Sequence, residues 1–204
     1  MTRPRILQPG QSYTFSQYFE LSFAIQDILA ELGCSYNLES LTLPSSEVDD
    51  SLINNLKQNI ETNLQYVKLS SESARQQVII APILLEVCKT TQTRLNVEYP
   101  VSVSEQLKGS FDYYIDKDRG MLVVEAKQAD LNRGFTQLAV ELIALDQWTS
   151  KDTPILYGAV TTGEDWRFGI YKRAEKIILE DIKLYRVPEE IHLLVKTLVG
   201  IINY

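Results

Sequence analysis

The stretch MLVVEAK at 121–127 constrains the fold most. Met121, Leu122, Val123 and Val124 leave no polar face, so a strand built from them is covered on both sides and belongs inside a sheet. Unpaired charge is costly in such a place, yet Glu125 and Lys127 follow directly. Upstream, SFDYYID reads as a second strand, and DKDRG between the two is turn chemistry. With the turn centred on Asp118–Arg119, antiparallel pairing sets Asp112 opposite Glu125, with Cβ atoms about 5 Å apart. Glu125 and Lys127, two residues apart on one strand, point to the same side. The hairpin at 109–127 therefore gathers Asp112, Glu125 and Lys127. A one-residue slip of register would send Asp112 to the other face.

The rest of the chain supplies helices and further strands. Apolar residues at helical spacing predict one helix in TFSQYFELSFAIQDILAELGC, with Thr14 or Ser16 as cap and Gly33 as stop. A short strand is expected near 38–43, and a second helix in EVDDSLINNLKQNIETNLQYVKL. A third helix, SSESARQQVIIAPILLEVCKTTQ, has Ser71 or Ser73 as cap and Glu72 in its first turn. The β-branched RLNVEYPVSVSE then precedes the hairpin. After it come a helix with Phe135, Leu138, Leu142 and Leu145 on one stripe, a buried strand PILYGAVTT and a further strand WRFGIYK. KIILEDIKLYRV fits either a strand or a short helix. Pro188 sits in the first turn of a final helix. This order predicts an α/β or α+β core around a mixed central sheet flanked by helices. The expected division is an N-terminal helical extension over 1–70, a core over 71–187 and a C-terminal helix over 188–204.

Composition excludes several classes of function. A chain of 204 residues with 45% hydrophobic and 23% charged residues suits one globular domain of ordinary size. No apolar run reaches the length of a spanning helix, and the basic start MTRPR has no apolar segment after it, so neither a membrane span nor a secretory signal is expected. Cys34 and Cys88, each among apolar residues, read as buried thiols in a reducing compartment, which makes the expected location cytoplasmic. They lack zinc spacing. His192, the only histidine, lies among Ile191, Leu193 and Leu194 and reads as structural. No phosphate-binding Gly-Lys-Ser/Thr loop is present, so no nucleotide cofactor is expected. The formal net charge is −7, which opposes non-specific attraction to nucleic acid. A polyanion would need a local basic patch or a bound cation. Lys108, Lys117, Arg119, Lys127 and Arg133 supply such a patch or are solvated loop charges. Trp148, Trp166 and Tyr157 read as core before they read as base-stacking platforms.

Two close carboxylates repel unless a proton or a cation stands between them. A hard divalent ion suits two carboxylates, a carbonyl and waters, and a lysine beside it can position water or meet charge developing on a phosphate. Alternating charge on a hairpin is also ordinary surface chemistry, which is the competing reading. The apolar setting of Glu125 favours a site.

On three pieces the chain resembles the PD-(D/E)XK, or restriction-endonuclease-like, nuclease superfamily. They are GSFD at 109–112, EAK at 125–127 behind MLVV, and QLAVEL from Gln137. They are most similar to the G-x-x-D, (D/E)-x-K and Q-x-x-x-Y series of the RecB-type branch, over about 72–171. The resemblance implies a restriction-endonuclease-like fold and a nuclease dependent on Mg²⁺ or Mn²⁺, acting on DNA, in a superfamily that often dimerises. It implies Asp112 and Glu125 as metal ligands with the Ala126 backbone carbonyl, and Lys127 as the catalytic lysine. Gln137 would orient Lys127 or a phosphate. Glu72 would be an accessory acid from the preceding helix, with Glu86 competing for that role. Glu141 stands where the RecB-type pattern has tyrosine, and no proline precedes Asp112. A nuclease-like fold used as a nucleic-acid- or protein-binding module is the alternative.

Overall fold

A computed structural model describes residues 5–8, 10–118 and 120–204. Eight strands form one mixed sheet: β1 (Ser35–Glu39), β2 (Leu95–Ser104), β3 (Leu107–Lys117), β4 (Gly120–Ala126), β5 (Ile155–Thr161), β6 (Asp165–Lys172), β7 (Ile177–Asp181) and the two-residue β8 (Tyr185–Arg186). Their order across the sheet is β1-β7-β6-β5-β4-β3-β2, and β8 pairs with β6. β4 with β5 and β1 with β7 are parallel; the other neighbours are antiparallel. The expected mixed sheet flanked by helices is therefore present.

Helices cover both faces. On one lie α1 (Phe15–Glu20), α2 (Ile25–Glu31) and α6 (Leu131–Trp148), whose apolar side chains share a core with Val123, Tyr114, Val160 and Tyr171. On the other lie α3 (Asp50–Leu64), α5 (Ala81–Thr91) and α7 (Ile191–Ile202), packed on Ile115, Leu122, Val124 and Trp166. Every residue of α6 from Gly134 to Leu145 is buried, because the helix is clamped between the sheet and α1. A short α4 (Glu72–Arg75) leads through a π-helical turn, Gln76–Ile80, into α5. Among the described residues no helix is long and apolar enough to cross a membrane.

Three expectations change, and one open alternative is settled. The single helix of the first segment is two, separated at 21–24, with Leu21 extended. The break lets Phe15 and Tyr18 bury against α6 while Ile28 and Leu29 bury farther round the same core; one straight rod could not follow that curve. The short strand expected near 38–43 lies at Ser35–Glu39, as an edge strand of the same sheet. The ambiguous KIILEDIKLYRV forms strands, β7 and β8, as neighbours of β6. Pro188 precedes the last helix, which begins at Ile191. Both cysteines are free and buried. His192 shares its ring nitrogens with Asp50 Oδ1 at 3.3 Å and Asn54 Oδ1 at 2.9 Å, tying α7 to α3.

Candidate active site

The hairpin has the register that its turn chemistry predicts. Lys117 faces Gly120, Ile115 faces Leu122 and Tyr113 faces Val124; Arg119, half of the predicted turn centre, lies outside the described residues. The pairing between β3 and β4 ends at Tyr113 and Val124, one step short of Asp112 and Glu125. Beyond that point β3 continues with β2, and β4 continues with β5. The Asp112 carboxylate takes over as partner there: its Oδ2 accepts from the Ala126 amide at 2.8 Å. One more residue along, the Lys127 amide donates to Thr161 O at 2.8 Å. The catalytic candidates thus stand at the carboxyl end of a parallel strand pair, where open α/β sheets bind ligands.

Glu125 is 1% exposed, and its Oε1 lies 2.5 Å from Lys127 Nζ. The lysine stem packs beside Gly134 of α6, where a Cβ would meet it at 3.0 Å, and its ammonium sits 5.0 Å from the centre of the Phe19 ring. From α6, Gln137 and Glu141 enter the same buried space. Gln137 Nε2 donates to Glu141 Oε1 at 2.9 Å. Glu141 thus engages the Gln137 amide nitrogen, while Gln137 Oε1 has no hydrogen-bond partner. Glu141 is fully buried, and its charge reaches Glu125.

Glu72 is the acid on the preceding helix that comes within electrostatic reach of Asp112 and Lys127. Two anchors hold it there. Gln128 Nε2 donates to Ser70 O at 3.0 Å, just before the Ser71 cap, and Arg75 Nη1 donates to Thr162 O at 3.0 Å and to Glu164 at 2.6 Å. Glu86 instead pairs with Lys89 at 3.2 Å, among Pro82 and Leu85 on the outer side of α5. The basic residues clustered in sequence do not gather: Lys108 pairs with Glu105, Lys117 bonds Asn203, and Arg133 faces Asp130. Arg119 lies outside the described residues. Trp166 and Tyr157 are core, and Trp148 is half-exposed.

Burial raises the Glu125 carboxyl, Asp112 raises it further and Lys127 opposes them, leaving it pushed up to about 8. Burial and then Glu125 push Glu141 well above the usual carboxylate range. Asp112 is raised by burial, against the pull of the Ala126 amide and Lys127. For Lys127, burial works against the charge, but Glu125, Asp112 and Glu72 outweigh it and the ammonium is held above its usual value. Glu125 Oε2, Gln137 Oε1 and Glu141 Oε2 are buried acceptors with no partner. An oxygen-only donor set with acceptors to spare suits a hard divalent cation. Among the described residues no three His, Cys, Asp or Glu side chains form a ready-made metal cage; Lys127 contacts Glu125 instead.

A carboxyl whose folded value is raised contributes stability that is complete below its unfolded value and is lost as pH rises through the folded one. The metal-free protein therefore loses stability as pH rises from the ordinary glutamate range past about 8. Glu141→Gln keeps the size and the donor but removes one such group, so stability in EDTA falls less steeply with pH, as urea midpoints across that range will register.

Glu141 is the site residue that sequence reasoning missed. A signal was there: in the apolar run FTQLAVELIAL only Gln137 and Glu141 are long and polar, and they stand four apart on one helical face. Comparison of the chain with models of protein families and with curated proteins gives no match.

Proposed function

We propose that this protein is a metal-dependent nuclease of the restriction-endonuclease-like kind, hydrolysing DNA phosphodiester bonds with Mg²⁺ or Mn²⁺. The observation that carries the reading is the convergence of Asp112, Glu125 and Lys127 where the β3–β4 pairing stops. In this reading Asp112, Glu125 and the Ala126 carbonyl hold the ion, with Glu72 as accessory acid. A bound ion would supply Lewis-acid chemistry there, lowering the pKa of water and neutralising phosphate charge. Lys127 orients the attacking water and faces the charge that builds on the phosphate oxygens. Water oxygen bonds to phosphorus and gives up a proton to solvent as the bond to the leaving oxygen breaks, and solvent protonates that oxygen. Glu141 and Gln137 keep Glu125 fixed from behind. Two unpaired buried thiols suit a reducing, cytoplasmic setting.

The test is cleavage of supercoiled plasmid and of single-stranded DNA with Mg²⁺, Mn²⁺ or EDTA, with Asp112→Asn in parallel. Cutting that needs the metal, and falls by a factor of roughly 10² or more in the variant, is the expected result. Cutting that persists in EDTA or in the variant rejects the assignment. Absence of cutting together with no stabilisation by Mg²⁺ moves the reading to a binding module with a nuclease-like sheet.

A further inference from the structure

A groove of about 600 Å³ opens beside the cluster, between the 21–24 connection, the first turns of α6 and the ends of β6 and β7. Three relations of chain and sheet place it near the candidate site. Leu21 and Ser22 line it two and three residues after Phe19, which covers Lys127. Arg133 lines it next to Gly134, against which the Lys127 stem packs. Arg167 lines it from the same face and level of the sheet as Glu125, since Glu125 pairs with Val160 and Val160 with Arg167. Two strand spacings put their backbones about 10 Å apart.

The character of the lining identifies an occupant. Of its acids, Glu180 binds Arg167 at 2.8 Å and accepts from the Tyr36 hydroxyl at 2.6 Å, and Asp181 Oδ1 accepts from the Leu41 and Lys183 amides while its Oδ2 has no partner. Both are buried. The one charged lining residue that is exposed is Arg133, held only loosely by Asp130 at 3.5 Å. Arg167 is only partly exposed, and its Nη1 already donates to Glu180 Oε1 and Asn132 Oδ1, each at 2.8 Å. Opposite these stands Phe23, 51% exposed although it is a large aromatic residue in a break between two helices. A guanidinium group that can meet phosphate and an open aromatic face that can take an unpaired base are the two elements of single-strand recognition.

We infer that this groove binds an unpaired nucleic-acid strand running from the Asp112–Glu125–Lys127 cluster, with phosphate on Arg133 and a base stacked on Phe23. The inference rests on the nuclease reading for its substrate class. A duplex has no free base for Phe23, so the groove selects single strands. This also answers how a chain of net charge −7 meets a polyanion: the contact is local and partly stacking.

The test is fluorescence anisotropy in EDTA, where no cutting occurs, with labelled oligothymidylate and with its duplex with oligoadenylate. The single strand is expected to bind more tightly. Phe23→Ala weakens it by roughly tenfold and Phe23→Tyr restores it. Arg133→Ala reduces the slope of log K against log salt by about 0.7, the share of one single-strand phosphate contact. No binding, affinity unchanged in Phe23→Ala and Arg133→Ala, or equal affinity for the duplex overturns the groove. Cutting with unaltered binding in the groove variants sinks the groove alone. Variant-sensitive binding by a protein that never cuts keeps the groove and removes the nuclease.

Discussion

Lys127→Ala is expected to slow cleavage by about 10³-fold and, independently, to make the metal-free protein more sensitive to alkali. The first effect follows from the proposed nuclease reading: Lys127 is the cation in contact with Glu125 at the end of β4, and removing a group that stabilises transition-state charge costs roughly 10²–10⁴ in rate. The second follows from burial. With Glu125 1% exposed, loss of its counter-charge leaves an ionised carboxylate in a dry place, a penalty of about 3–5 kcal/mol for a broken buried pair. Glu125 escapes that penalty by keeping its proton, and its folded value is already raised. The variant is therefore nearly as stable as wild type at about pH 5 and several kcal/mol weaker at about pH 9. Urea titrations at both values, run in EDTA, measure it. An equal deficit at the two would mean that Lys127 acts by packing alone, and undiminished cutting would remove it from catalysis.

Gly200→Ala is expected to be among the most destabilising small substitutions. Gly200 lies in α7, and a Cβ there would fall 2.5 Å from Ser45 Cα and N and 2.6 Å from Pro44 C. These are backbone atoms, so no side chain can rotate aside; either α7 or the 44–45 segment must move. Overpacking of this kind costs about 3 kcal/mol or more, equivalent to roughly 6–12 °C in Tm for a domain of this size. Gly33→Ala is the control. It meets no atom within 4 Å and carries only the strain of its φ of +75°, worth about 1 kcal/mol. A calorimetric scan in which both variants melt alike would show that the 44–45 segment yields to α7.

The hairpin was legible because it is local. Asp118 and its neighbours mark the turn, the register follows from the turn, and the apolar run 121–124 says that the strand is central. Glu125 and Lys127 could thus be put on one side with Asp112 before any coordinates. β1 was legible only approximately, as a strand near 38–43 where the structure has Ser35–Glu39. SYNLE is mostly exposed, carries little apolar signal, and takes its strand conformation from β7, which lies far along the chain. The break at 21–24 is a tertiary effect, the price of wrapping α6, and periodicity within the segment does not report it. Glu141 was seen only as a departure from a pattern. Its role comes from α6 being buried on all sides, which a one-sided stripe of Phe135, Leu138, Leu142 and Leu145 does not announce. The π-helical turn before α5 likewise has no sequence signal that we can name.

The parallel pairing of β1 with β7 also dictates an order of events during synthesis. Ser35 meets Ile177 and Glu39 meets Asp181, so the edge strand has no ladder to join until nearly the whole sheet has left the ribosome. Closing so long a loop is entropically costly and slows folding in chains dominated by distant contacts. Meanwhile Phe15, Tyr18, Ile28 and Leu29, all buried in the finished protein, wait in water for α6 and the strands beneath it. The nascent chain therefore presents a sticky leading segment for most of its translation, a natural client for chaperones that hold unfolded polypeptides.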